Sequence, residues 1–228
     1  MDDIIHANLG GYQKDGVWVS NQTIRLWPHI IAGTRWMLQA PKPQQTIIHR
    51  GVAMTAINNL AVAVEGFIGD IIYAQLDTNS EIQHPVISKL PDSSWEPKRA
   101  FYNRYFSKKL SVYSEFRSIE ILMLLRNNLL HGLSYIESNQ ALNVSGTERT
   151  KIVSPNKKYQ KAREFFISKG LLADTSQMSS SESLWKLQIV VFLFSEVSRL
   201  ITHIIVDNPE NKFLGIKSEW EMISKIQG

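Results

Sequence analysis

Residues 46–77 read TIIHRGVAMTAINNLAVAVEGFIGDIIYAQLD. No proline interrupts these residues, and apolar side chains recur at helical spacing. A long helix is therefore expected here, with Thr46 as its N-cap. One acid, Glu65, stands between residues 46 and 69, inside the run LAVAVEGFIGDII. Burying a carboxylate there without a partner is costly. Glu65 must face solvent or find an ion pair. Asp70 lies five positions on and does not share its helix face.

Similar helical periodicity recurs along the chain. Helices are expected over 98–109, 112–137, 156–169, 182–206 and 217–226, with Gly170 stopping the third and a serine-rich N-cap before the fourth. Residues 78–97 read as a loop, marked by DTNS, DSS, Pro85, Pro91 and Pro97. Residues 138–156 are polar and broken by Gly146 and Pro155. The first forty-five residues are the least regular; GVWVS and TIRLW suggest a small hairpin. The expected class is all-α: a helical bundle over 46–207, an N-terminal extension over 1–45 and a C-terminal tail or short helix over 208–228.

Composition narrows the function classes. The 228-residue chain has no cysteine, which excludes disulfides and thiolate metal sites and suits a cytoplasmic protein. The opening MDDIIHANLGGYQKDG lacks an apolar core, so no signal peptide is expected. The run LQIVVFLFSEVSRLITHIIV is interrupted by Glu196, Arg199 and His203, which favours a buried helix over a membrane span.

The formal net charge is +4, and the basic residues cluster. Lys98, Arg99, Arg104, Lys108, Lys109 and Arg117 form one group, and Arg149, Lys151, Lys157, Lys158, Lys161, Arg163 and Lys169 another. Aromatics are interleaved, among them Phe101, Tyr102, Tyr105, Tyr159 and Phe165. Such clusters are either solvated helix faces with aromatics turned inward, or surfaces for single-stranded nucleic acid. On the second reading Lys98, Arg99, Arg104, Lys108, Lys109, Lys157 and Lys158 are RNA-binding candidates.

The segment LLRNNLLHGLSY, residues 124–135, places an Arg, two Asn and a His in an apolar helix. On a helical wheel Leu122, Leu125, Leu129, Leu133 and Ile136 form the core stripe. Asn127 and His131 share another face, continued by Ser134 and Tyr135. Arg126 sits at the edge of the core stripe, about 140° from His131. One straight helix cannot bring both into a compact site, so any site using both is expected at a two-fold interface between copies. The chemistry suits metal-free phosphodiester cleavage. An imidazole can exchange protons with the 2′- and 5′-oxygens. A guanidinium can stabilise a phosphorane. An asparagine can orient either. The remaining histidines, His6, His29, His49, His84 and His203, are scattered and give no metal-ligand spacing. A single helical histidine is also a common structural residue.

Arg126-Asn127-Asn128-Leu129-Leu130-His131-Gly132 resembles the signature of the HEPN superfamily (higher eukaryotes and prokaryotes nucleotide-binding domains): an Arg, a polar residue and a His in a helix of an α-helical bundle. The resemblance implies an antiparallel bundle and a metal-independent endoribonuclease without cofactor. It further implies a homodimer and a role as a toxin of a toxin–antitoxin pair, with an antitoxin protein as partner, or as an antiviral (phage) defence effector. Arg126 and His131 would be catalytic, with Asn127 supporting. Glu65, and less well Asp70, matches the polar or acidic residue of the first bundle helix. Some family toxins carry a modifiable Tyr two residues after the His; here Leu133 stands there and Tyr135 follows two further on. Non-catalytic relatives imply the alternative, a module that binds RNA, nucleotide or a protein.

Overall fold

The computed structural model describes residues 10–14, 17–21, 25–41, 46–77, 94–130, 138–144, 147–153, 157–173, 175–176 and 184–225. Seven α-helices occupy these residues: α1 Trp27–Gln39, α2 Thr46–Asp77, α3 Trp95–Tyr105, α4 Phe116–Leu130, α5 Lys157–Ser168, α6 Leu187–Asp207 and α7 Leu214–Lys225. The core is all-α, as composition and periodicity indicate.

α2 is the central element, contacting α1, α3, α4 and α6. It is apolar nearly all round, as a helix must be when neighbours cover most of its circumference. Ala53, Ile57, Leu60, Val64, Phe67 and Ile71 along it are fully buried. α6 contributes Ile189, Leu193, Leu200 and Ile204 to the same core. By length and composition α2 and α6 could each cross a membrane, and about half of each apolar window is buried inside the protein. In this fold they pack against one another.

Among the described residues before 46, Trp27–Gln39 form a regular helix that packs into the bundle, where an irregular extension was expected. α1 belongs to the bundle: Trp27 and Ile31 lie in the shared core. The Trp27 indole N–H donates to Asp70 Oδ2 at 2.9 Å, and Arg25 bridges Asp70 at 3.5 Å and Glu219 of α7 at 2.8 Å. Gly66 lets α1 approach, since a Cβ there would meet Trp27 Cβ at 3.2 Å. α7 is likewise part of the core, through Ile216, Trp220 and Ile223.

Two hairpins accompany the bundle. β1 (Gly10–Lys14) pairs antiparallel with β2 (Val17–Asn21). Of the expected partner TIRLW, the described residues Arg25–Trp27 lead into α1, because Trp27 and Pro28 open that helix. β3 (Ser138–Val144) and β4 (Thr147–Val153) pair in register, and β5 (Thr175–Ser176) adds to the edge of β4. Their polar composition, without clean alternation, hid them from the sequence reading.

Several helix boundaries also shift. α3 begins three residues before Lys98, because Pro97 sits in its first turn, where no backbone N–H is missed. α3 then stops at Tyr105, and a short 3-10 turn over Leu110–Val112 precedes α4. Asn103 Oδ1 accepts the Leu110 N–H at 2.8 Å and fixes that connection. Thr46 is the first residue of α2 rather than its cap. Lys186, not a serine, occupies the N-cap position of α6 and makes no side-chain cap bond. The expected end of α5 is observed. Gly170 has φ +70°, its N–H donates to Ile167 O, and the Leu171 N–H donates to Phe166 O, both at 2.9 Å. This is a Schellman termination.

Candidate functional site

α2 and α4 bring Glu65 and Arg126 together, although 61 residues separate them. Arg126 Nη2 donates to Glu65 Oε2 at 2.7 Å, and Nη1 donates to Asn127 Oδ1 at 2.9 Å. The side chains are 18% and 11% exposed, so water screens the pair weakly. Glu65 therefore solves its burial by an ion pair across two helices. Its other oxygen, Oε1, and Arg126 Nε are buried and make no hydrogen bond among the described residues. Lys98 holds the same residue from the backbone side, donating to the Glu65 carbonyl at 3.0 Å.

The pair opens onto a cleft of about 280 Å³. Trp95, Met123 and Leu124 give it apolar surface, while Asn127 and the α5 lysines Lys158 and Lys161 border it. Glu96 and Glu120 lie on its rim. Arg99 engages both, at 2.6 and 3.2 Å, and Arg117 engages Glu120 at 3.1 Å. The rim acids are thus already paired.

The sequence-derived candidates separate on this geometry. Glu65, Arg126 and Asn127 meet at one place. His131 and Tyr135 lie outside the described residues. Asp70 joins Trp27 and Arg25 instead of the cleft.

The expected RNA-binding surface does not form as one face. Lys98 is 5% exposed and its ammonium is spent on a backbone carbonyl, so it cannot serve as a surface contact. Arg99 is held by the rim acids. The Arg104 guanidinium lies over the Tyr105 ring at 5.5 Å. Lys108 pairs with Asp207 at 2.6 Å. Lys109 and Lys157 are exposed, and Lys158 borders the cleft. Arg163, from the second basic cluster, is fully buried.

Other features were not among the site candidates taken from sequence. Trp95 and Lys161 belong to the cleft; the signal for Lys161 was its i+3 spacing from Lys158. Asn128 is 2% exposed, and its amide nitrogen makes no hydrogen bond among the described residues. A second polar group links α4 and α6. His203 Nδ1 faces Glu115 Oε2 at 3.3 Å, Ser118 donates to Glu196 at 2.6 Å, and Arg199 engages both acids. Glu115 is nearly enclosed; burial opposes its ionisation, but its own backbone N–H, Ser114 and His203 prevail and hold its carboxyl below the ordinary range. Among the described residues no cluster of three His, Cys, Asp or Glu forms a metal site.

Chemically, the cleft offers a fixed guanidinium, an amide, two lysines and an apolar floor. That combination can bind a phosphodiester beside a planar base. No family model matches the chain, and neither a curated protein nor a solved structure matches it.

Proposed function

We propose that this chain is a metal-independent endoribonuclease of HEPN type, acting in the cytoplasm as a homodimer and serving as a toxin or phage-defence effector. The observation that carries the reading is the Glu65–Arg126 pair at the edge of a cleft bordered by lysines. The long apolar helix supplies the acid and the Arg-Asn-x3-His stretch supplies the Arg, and the two touch.

In this mechanism the neutral imidazole of His131 removes the 2′-hydroxyl proton. The 2′-oxygen attacks phosphorus, the bond to the 5′-oxygen breaks, and an imidazolium protonates the leaving oxygen. The products are a 2′,3′-cyclic phosphate and a 5′-hydroxyl. Arg126 stabilises the charge on the phosphorane. Glu65 and Asn127 restrict the guanidinium to one orientation, so little of its rotamer entropy is lost when substrate binds.

The test is cleavage of a labelled RNA by the wild type, His131→Ala and Arg126→Ala proteins. Loss in both variants, retention in EDTA and cyclic-phosphate ends support the reading. Cleavage by His131→Ala at the wild-type rate sinks it. Growth arrest on bacterial expression, relieved by His131→Ala, tests the toxin role and favours a search for an antitoxin partner.

One observation favours a second reading, a non-catalytic module binding RNA, nucleotide or a protein. Two of the Arg126 nitrogens are already engaged within the chain, by Glu65 and Asn127. On that reading the pair locks α2 to α4, no preparation cuts RNA, and changing Arg126 alters stability or association alone.

A further inference from the structure

The polar group between α4 and α6 does not belong to the α2–α4 cleft. Arg199, His203 and Asp207 stand four apart on α6 and so share one face. The connection from α3 to α4 runs against that face, pairing Lys108 with Asp207 and Glu115 with His203 and Arg199. Between them lies a second cleft of about 340 Å³, lined by Lys108, Val112, Tyr113, His203 and Val206 among others. It shares no lining residue with the first. Val112 and Val206 are exposed and leave its rim apolar.

His203 is half-exposed, and its Nδ1 lies 3.3 Å from Glu115 Oε2. Glu115 is nearly enclosed and held ionised, so it can only accept. Nδ1 therefore carries the hydrogen, and the ring's lone pair is on Nε2, at the edge away from Glu115. The Tyr113 ring lies alongside, 13° from parallel with centroids 6.4 Å apart. The other nucleophilic atoms of the cleft are committed. Ser114 supports the Glu115 carboxylate. Burial keeps the Tyr113 phenol protonated. Lys108 is an ammonium bound to Asp207 at 2.6 Å. Among the described lining residues the imidazole is the nucleophile that remains. An ammonium has three hydrogens, and Asp207 takes one of them. The Lys108 side chain is half-exposed, so another can meet an incoming phosphoryl oxygen.

We propose that His203 is a phosphoryl-accepting histidine, charged by a small acyl phosphate whose acyl part rests on the Val112–Val206 rim. The Nε2 lone pair attacks phosphorus, the bond from phosphorus to the acyl oxygen breaks, and a carboxylate leaves with the electron pair. The phosphorylated ring keeps its Nδ1 hydrogen, and Glu115 balances the positive charge that the ring acquires. Lys108 donates to the phosphoryl oxygens. Glu115 is thus a positioning residue for His203. The site is independent of the ribonuclease reading.

The experiment incubates the full chain with acetyl phosphate and locates phosphoryl groups by mass spectrometry, under alkaline conditions that preserve the phosphorus–nitrogen bond. His203 is expected to be labelled about tenfold faster than His29, which is exposed on α1 and serves as the internal reference. Lys108→Ala lowers that ratio severalfold, and Lys108→Arg retains it. Glu115→Gln lowers it about tenfold, and nitrogen NMR shows the Nδ1–H tautomer of His203 in the wild type giving way to a mixture in this variant. Circular dichroism and the urea midpoint confirm that each variant is folded. Equal labelling of His203 and His29, or none at His203, overturns the proposal. So do folded Lys108→Ala and Glu115→Gln proteins that are labelled at the wild-type rate.

Discussion

Arg126 Nη2 lies 2.7 Å from Glu65 Oε2 across the α2–α4 interface, and neither side chain is more than 18% exposed. Removing one partner leaves the other buried and unpaired. Arg126→Ala is expected to cost about 2 kcal/mol of stability, and Glu65→Ala a similar amount. The double variant should be less destabilised than the sum of the two. Urea unfolding of the four proteins measures this, and simple additivity would show that the pair is uncoupled. Glu65→Gln keeps the shape and loses the charge. On the proposed ribonuclease reading, it should lower RNA cleavage about tenfold at near-native stability, against at least a hundredfold for Arg126→Ala.

Asp70 provides a pH signature. Burial raises its carboxyl from 3.8 to about 6, outweighing the opposing pull of Arg25 and the Trp27 hydrogen bond, with Glu219 adding repulsion. The folded value is above the unfolded one, so the unfolded chain ionises first as pH rises. The stability associated with the neutral carboxyl is therefore full below about pH 4 and lost by about pH 6. Two units correspond to roughly 3 kcal/mol at most. In Asp70→Asn that component disappears: the stability of the wild type relative to the variant should fall between pH 4 and 6 and stay level above. A flat difference across urea titrations in that window would refute the assignment.

Gly33 of α1 and Gly66 of α2 should respond differently to alanine. Nothing lies within 4 Å of a Cβ added at Gly33, whereas one at Gly66 meets Trp27 Cβ at 3.2 Å. Gly33→Ala is expected to raise stability by about 0.5–1 kcal/mol through helix propensity. Gly66→Ala forgoes that gain, because the contact is with an atom anchored to the α1 backbone, and is expected to be neutral or destabilising by about 1 kcal/mol. Thermal denaturation of the two variants compares them directly.

Lys98 distinguishes a buried cation from a nucleic-acid contact. Its ammonium donates to the Glu65 carbonyl at 3.0 Å, and the residue is 5% exposed. Lys98→Ala should cost about 1–3 kcal/mol of stability. On the proposed reading, its fully folded fraction should bind single-stranded RNA with unchanged salt dependence. A salt slope lowered by about 0.7 would restore Lys98 to the binding surface.

Much of the architecture was legible because helices announce themselves through period and punctuation. The limits of α2, Thr46 and Asp77, coincide with a proline-free apolar segment, and Gly170 marks the end of α5 through its positive φ. The misreadings have local causes. Pro97 looked like a loop residue but is tolerated in a first turn. The strands β3 and β4 are polar and carry no alternating signal. α1 was overlooked because Pro28 sits near its start and its anchors, Trp27 and Arg25, find their partners on α2 and α7.

The sequence by itself determined an all-α core, the extent of its long central helix, and the apolar stripe that turns Leu122 and Leu125 inward. These follow from local periodicity, which is written in neighbouring residues. Which charges meet was decided only in three dimensions. Glu65 needed a partner on energetic grounds, but only the packing of α4 on α2 delivers Arg126 to it. Lys98 and Arg163 read as surface cations until tertiary packing enclosed them. Lys158 and Lys161 read as one stretch of a basic run until α5 was laid along the cleft. Pairing between distant residues depends on how helices pack, and no window of sequence contains that information.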